Sequence, residues 1–377
     1  MKTQGSLPSE DAAVVLLFSL VASGQVKLRR IDGWRKIGAV VSRHCRRRRR
    51  DESEVIPNHV GDCSMKTLRE MLMLGVMIAL LPAAAHAQEI KVTLLGTGTP
   101  VPAMNRFGPS ILIAAGGQKF LFDAGRGAMQ RLAQLKVRWQ DVDGVFLTHL
   151  HSDHVVGFPD LWLTGWLVGP GRDRPLRVWG PRGTQKMMSK LEEAYDFDIR
   201  IRLYDDRAAP NGVLLFAEDI NEGVALERGG LKITAFEVDH SPAWPAFGYR
   251  VDYGGRSVVL SGDTRVSQNL VRHAQGVDLL VHEVASPESF QRAGMRPERA
   301  KSVIAHHVTP EQAGEVFANT KPRLAVYSHI VQPDASEQDL IPPTRKNYAG
   351  RVEVGEDLMV IDVGEKIDVH RPARSSP

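Results

Sequence analysis

From residue 90 onward, short runs of Val, Ile, Leu and Phe bounded by Gly or Asp alternate with stretches whose apolar residues recur every three or four positions. Side chains repeat every two residues on an extended chain and about every 3.6 on a helix, so the first pattern predicts strands and the second helices. Strands are predicted over residues 90–95, 110–115, 119–122 and 142–147, and again over 231–238, 247–252, 257–260, 278–281 and 324–327. Helices are predicted over 127–135 and 183–194. Thr309 reads as an N-cap, with Pro310 at the first helical position and Gln312 three residues on, which predicts a helix running to Asn319. Two blocks of strands, each with its own helices, imply an α/β domain of two sheets packed face to face with helices outside.

The chain before residue 90 is different. Residues 65–87 read MKTLREMLMLGVMIALLPAAAHA: a short basic head, an apolar stretch too short for a membrane span, then Ala85-His86-Ala87. This is the layout of a secretory signal peptide. No Cys follows the cut, so no lipid anchor is expected once the leader is removed, and the protein is expected to be periplasmic or secreted. We read Met65 as the translation start and residues 1–64 as a non-native or disordered extension, with 88–377 as the folded domain.

This division changes the meaning of the charge. The 377 residues carry a net charge of +4, which by itself suggests a nucleic-acid partner. Residues 1–64, however, hold 12 Lys/Arg against 7 Asp/Glu, and residues 65–87 hold 2 against 1. The remaining 290 residues carry 34 against 36, a net of −2. That balance disfavours nucleic acid as a partner without excluding local patches. Both cysteines, Cys45 and Cys63, also lie upstream of Met65. The exported domain would have neither disulfides nor thiolate metal sites, so any metal must be held by His, Asp or Glu.

The densest chemistry is Thr148-His149-Leu150-His151-Ser152-Asp153-His154, directly after the strand predicted at 142–147. His149 and His151 project to one side of an extended chain. The chain then turns, and Asp153 and His154 point from the next positions. Four ligands from six residues form two pairs suited to two adjacent zinc or similar divalent ions.

HLHSDH followed by Gly157 resembles the HxHxDH signature of the metallo-β-lactamase superfamily. The resemblance implies the four-layer αββα sandwich of that family, two mixed β-sheets flanked by helices, around two zinc ions. It assigns His149, His151 and His240 to one metal, and Asp153, His154 and His329 to the other, with Asp263 bridging. Asp153 would also orient a shared hydroxide. Leu94 to Pro100, Phe122 to Gly125, His282 to Ala285 and His307 to Gly314 look like the ribonuclease Z-like branch. In that branch a histidine at the position of His307 protonates the leaving group and an acidic residue at Glu283 orients it, although His306 is adjacent. Dimers are common in the branch, so a homodimer is expected by analogy.

One departure separates the chain from tRNA-processing members, which carry a long arm between the metal histidine and the bridging aspartate. Here His240 and Asp263 are 23 residues apart, with room for two strands and a Gly254-Gly255 turn. Residues 158–184, and Asp123 to Gly127, look instead like secreted arylsulfatase-type members. Trp162 and Trp166, four apart, would wall an aromatic substrate pocket with Trp244 opposite, and Arg126 would meet a sulfate or phosphate oxygen. The aspartate at 263 argues against β-lactamase activity, and there is no flavin or nucleotide motif. The leading expectation is therefore a hydrolase of small-molecule sulfate or phosphate esters. The second is a ribonuclease Z-type RNA phosphodiesterase, and the third a non-catalytic metal-binding scaffold.

Overall fold

The computed structural model describes residues 89–332 and 334–372. The extension expected over 1–64 and the leader expected over 65–87 lie outside the described residues. Two sheets face each other. The first runs, in spatial order, β15 (Ile367–His370), β14 (Val360–Val363), β1 (Ile90–Gly96), β2 (Ser110–Ala115), β3 (Gln118–Phe122), β4 (Gly144–Phe146), β5 (Leu176–Gly180) and β6 (Leu215–Asp219). Its hairpin strands are antiparallel, and β3 to β6 are parallel. The second sheet runs β13 (Val352–Val354), β12 (Leu324–Ile330), β11 (Leu279–Val284), β10 (Arg256–Leu260), β9 (Ala246–Tyr253), β8 (Leu231–Val238) and β7 (Gly223–Arg228).

Alternation along the strands sorts the side chains into layers. Val92, Leu94, Phe122 and Phe146 from the first sheet meet Ile233, Tyr249, Val258 and Val281 from the second in the central core. Within it Phe146 lies stacked between Phe122 and Trp179, with ring centroids 5.3 and 4.7 Å away. Truncating so central a ring to alanine typically costs about 3–5 kcal/mol. On the outer face of the first sheet, Leu121, Val145 and Val178 pack under α1 (Ala128–Gln134), α3 (Phe158–Leu167) and α4 (Thr184–Ala194), after which α5 (Asp196–Tyr204) follows. The outer face of the second sheet is covered by α6 (Gln268–His273), α9 (Pro310–Thr320) and α10 (Glu337–Arg345). The expected four-layer sandwich is what the chain builds. No described helix is long and apolar enough to cross a membrane.

The predicted N-cap at Thr309 is present, with a full capping box to Gln312 and the helix running one residue past Asn319. Two strand predictions change in ways that matter for function. The strand expected over 142–147 is paired only over Gly144–Phe146, because a 3₁₀ turn over Trp139–Asp141 precedes it and Thr148 turns to bond Asp123. The strand expected to stop at Tyr327 continues to Ile330, so His329 lies inside it rather than after it. There the pairing with β11 slips: His282 faces Tyr327, but Val284 faces Ile330. Glu283 thus opposes both Ser328 and His329 in a bulge, the device that re-aims side chains beside active sites.

Candidate metal centre

The loop after β4 carries the first group of candidate ligands, and α2 (Ser152–Val155) carries Asp153 and His154. Asp123, at the end of β3, holds this segment. Its carboxylate accepts from Thr148 N and Thr148 Oγ1, both at 2.8 Å, and from His154 Nδ1 at 2.7 Å. Donation through Nδ1 sets the tautomer and leaves the lone pair of His154 Nε2 pointing inward, the arrangement that orients metal-binding imidazoles. His240, after β8, is set in the same way, its Nδ1 donating to His306 O at 3.0 Å. Close backbone packing fixes the turn: a Cβ on Gly157 would lie 2.1 Å from Gly125 O. Gly262, at φ +60 immediately before Asp263, has Phe247 O 2.4 Å from where its Cβ would sit. Neither position has space for a larger residue.

Asp263, from the loop after β10, occupies the centre. Its Oδ2 lies 3.4 Å from His154 Nε2, 3.4 Å from His329 Nε2, 3.7 Å from His240 Nε2 and 3.9 Å from His149 Nε2. Asp153 Oδ2 is 3.4 Å from His329 Nε2, and His151 Nδ1 is 3.3 Å from His240 Nε2. The donor atoms of His149, His151 and His240 fall within 4.8 Å of one another, as do those of Asp153, His154 and His329, and those of His149, His154 and Asp263. All seven residues singled out in the sequence are thus brought together.

The electrostatics of the cluster call for positive charge. Burial would push the Asp263 carboxyl up, but the imidazoles of His329 and His154 outweigh it and hold it well below the usual range. Burial likewise opposes a proton on His154, yet Asp263 and Asp123 together raise it well above the usual imidazole range. His149 is pushed well below that range by burial and by its neighbour His154. His149 Nε2, His154 Nε2 and Asp263 Oδ1 are buried without a hydrogen-bond partner. Each unpaired buried group costs about 1–3 kcal/mol, which a coordinated cation would remove. Imidazole nitrogen with carboxylate oxygen is a donor set that suits zinc or a similar divalent ion.

A cavity of about 450 Å³ opens over the cluster, walled by Thr99, Val101, Phe290, Met295, Arg299 and Val303. Phe290 belongs to α7 (Pro287–Arg292), and Arg299 and Val303 to α8 (Pro297–Ile304). Neither helix was anticipated from the pattern. His307 lines the cavity, with Nδ1 3.3 Å from Glu283 Oε1, an ion-pair contact rather than a well-aligned hydrogen bond. The neighbouring His306, which also lines the cavity, instead bonds Ser241 O through Nδ1 at 2.8 Å, so of the two it is His307 that stands against Glu283.

Three sequence expectations fail here. Trp162 and Trp166 are fully buried, donating through Nε1 to Val213 O and Ala209 O at 2.8 Å each, so they are core residues and wall no pocket. Arg126 lies in a separate surface dent with Met104 and Phe107, its guanidinium near Pro100 O. Of that group only Trp244 stands near the cluster. The orienting role of Asp123 was missed. An acidic residue ending a strand was visible in the motif, but its partners, 25 and 31 residues away, were not.

Residues 118–330 match the beta-lactamase superfamily domain. The ribonuclease Z of Mycolicibacterium gilvum is 36% identical over 280 residues, covering 73% of this chain and 96% of that protein. The crystal structure of the metallo-β-lactamase fold protein YhfI from Bacillus subtilis superposes with a TM-score of 0.57 at 19% identity, over 73% of this chain and 99% of its own. That of human tRNase Z, short form, superposes with a TM-score of 0.54 at 22% identity, over 72% and 99%.

Proposed function

This chain belongs to the metallo-β-lactamase superfamily, in its ribonuclease Z-like branch, and we propose that it is a phosphodiesterase that cleaves RNA through two bound zinc ions. Metal-dependent hydrolysis is the chemistry of the family; the substrate and the number and identity of the metals are the proposal. The observation that carries it is one carboxylate, Asp263, lying within 3.9 Å of four imidazole nitrogens drawn from both sheets. Two ligand sets that share a central oxygen suit a pair of cations. His149, His151 and His240 would hold one, Asp153, His154 and His329 the other, with Asp263 between them. Bound there, the ions would supply Lewis acidity toward a phosphate and a water acidified to near-neutral pKa.

The protein's own groups would do the rest. Asp153 would orient the attacking water. His307 would donate a proton to the departing oxygen, and Glu283 would hold its ring and favour the charged form. The cavity-lining position of His307 suits that role. The sulfate-ester reading loses support, because two of the three tryptophans expected to wall its pocket, Trp162 and Trp166, are in the core. The compact β9–β10 hairpin between His240 and Asp263 leaves no room for an arm of the tRNA-processing kind. It does not set the chain apart from the M. gilvum ribonuclease Z, which it matches over nearly that protein's whole length. Export through the leader at 65–87 would give the enzyme RNA outside the cytoplasm as substrate.

The test compares the zinc-loaded chain on single-stranded RNA, a precursor tRNA, bis-p-nitrophenyl phosphate and p-nitrophenyl sulfate. Turnover of RNA and of the phosphate diester, with none of the sulfate, is the expected result. Preference for the sulfate would overturn the proposal.

A further inference from the structure

The metal centre is open on two sides. Besides the cavity of about 450 Å³, a second depression of about 340 Å³ is lined by His149, His151, Pro181, Arg182, Pro242 and Trp244. The two share His151 and Pro242, so the candidate ligand His151 stands at their common wall. A sulfate or phosphate monoester has one organic substituent, whereas a phosphodiester has two, one for each side.

The walls of the two sides differ. Phe290, Met295 and Val303 make the first largely apolar. The second presents the Trp244 ring, 60% exposed, with the Arg182 guanidinium 5.4 Å from its centroid. Arg182 is exposed and has no carboxylate partner among the described residues. Nor does Trp244 hold its own loop together. Asp239 accepts from Ser241 N at 3.0 Å and from Arg265 at 2.9 Å, and Arg265 also donates to Ser241 O at 3.0 Å. Pro242 and Pro245 restrict the backbone around the ring, so little conformational freedom remains to be lost when something stacks on it.

We propose that Trp244, with Arg182 beside it, is the platform on which a nucleobase adjoining the scissile phosphate stacks, which makes this side of the site a base-binding subsite. The inference rests on the phosphodiesterase reading above and specifies its substrate as single-stranded RNA with an unpaired base at the cut. Every base offers a π-face, so the subsite would accept all four bases. The guanidinium would add cation–π attraction and attract the backbone phosphate.

The experiment uses the full zinc-loaded chain and a trinucleotide, uridine–2-aminopurine–uridine, in which either linkage adjoins the fluorescent base. The wild type should quench 2-aminopurine on mixing and then cleave. Trp244→Ala should abolish the quench and raise KM about tenfold, the size of one lost base stack, with kcat changed less than about twofold. Trp244→Phe should restore both readouts, and Trp244→Leu, which keeps apolar bulk without a π-face, should resemble alanine. Zinc content and melting temperature should match the wild type in Trp244→Phe and Trp244→Leu, so the comparison stands even if the alanine variant folds poorly. Wild-type cleavage with quench and KM unchanged in Trp244→Leu would overturn the stacking proposal alone. A wild type inert toward RNA would overturn the phosphodiesterase reading and this inference with it.

Discussion

His307 illustrates how a single position is tuned by its neighbours. Burial works against a charge on its ring, but the Glu283 carboxylate 3.3 Å away outweighs it, and the imidazole is pushed up to about 9. A proton donor must be protonated, so turnover of substrates with poor leaving groups should fall as pH rises through that value. Glu283→Gln removes the charge while its Oε1 can still accept from Thr264 N and Val308 N, so the alkaline limb of kcat should move to lower pH. An unmoved limb would mean that another group is the acid. His307→Ala should keep its zinc, lose roughly 100-fold in kcat on a poor leaving group such as a ribose hydroxyl, and lose much less on p-nitrophenolate. Asp263→Ala should lose metal and activity together. The first four candidate ligands were legible in the sequence because they lie within six residues of one another, where strand and turn geometry alone decides which way they point. His240, Asp263 and His329 came from family resemblance. That His307 rather than His306 stands against Glu283 needed the packed structure, since adjacent residues on a turn point in different directions.

Among the elements, the loop over 97–109 is the one that both walls the cavity and depends on distant support. Asp357, in the turn between β13 and β14, accepts from Thr97 N, Thr97 Oγ1 and Phe107 N at 2.7–2.9 Å, and from Arg131 on α1 at 2.8 Å. One buried carboxylate therefore ties the start of the domain to its end. Asp357→Ala leaves these donors unpaired and should lower the unfolding free energy by about 3 kcal/mol, read by urea denaturation, with zinc content unchanged. A loss under 1 kcal/mol would show that the loop is held elsewhere. Periodicity located most strands here, since inward and outward faces differ sharply in polarity. It did not reveal α7 and α8, where four charged residues between Gln291 and Arg299 obscure the apolar face formed by Phe290, Met295 and Val303. Nor did it reveal the bulge that sets Glu283 against His329, because a slip in register leaves no mark on either strand's own pattern.

At the scale of the whole molecule, the candidate ligands join the two halves of the sandwich. His149 to His154 follow a strand of one sheet; His240, Asp263 and His329 come from the other. Cations bound there would link the sheets, and binding to the folded state alone adds about 2.7 kcal/mol at a hundredfold excess over Kd. Saturation with zinc should therefore raise Tm by roughly 5–10 °C over the chelated protein. An unchanged Tm would mean that the seven residues do not bind metal in common. What the sequence determined by itself was whatever repeats or clusters locally: the alternation that makes sheets, the capping box at Thr309, and the candidate ligands within one turn. Tertiary structure alone decided that Trp162 and Trp166 pack inside while Trp244 stands at the cluster, and that Asp123 orients His154. Those outcomes depend on contacts between residues far apart in the chain, and such contacts exist only once the register of both sheets and the packing of the layers are set.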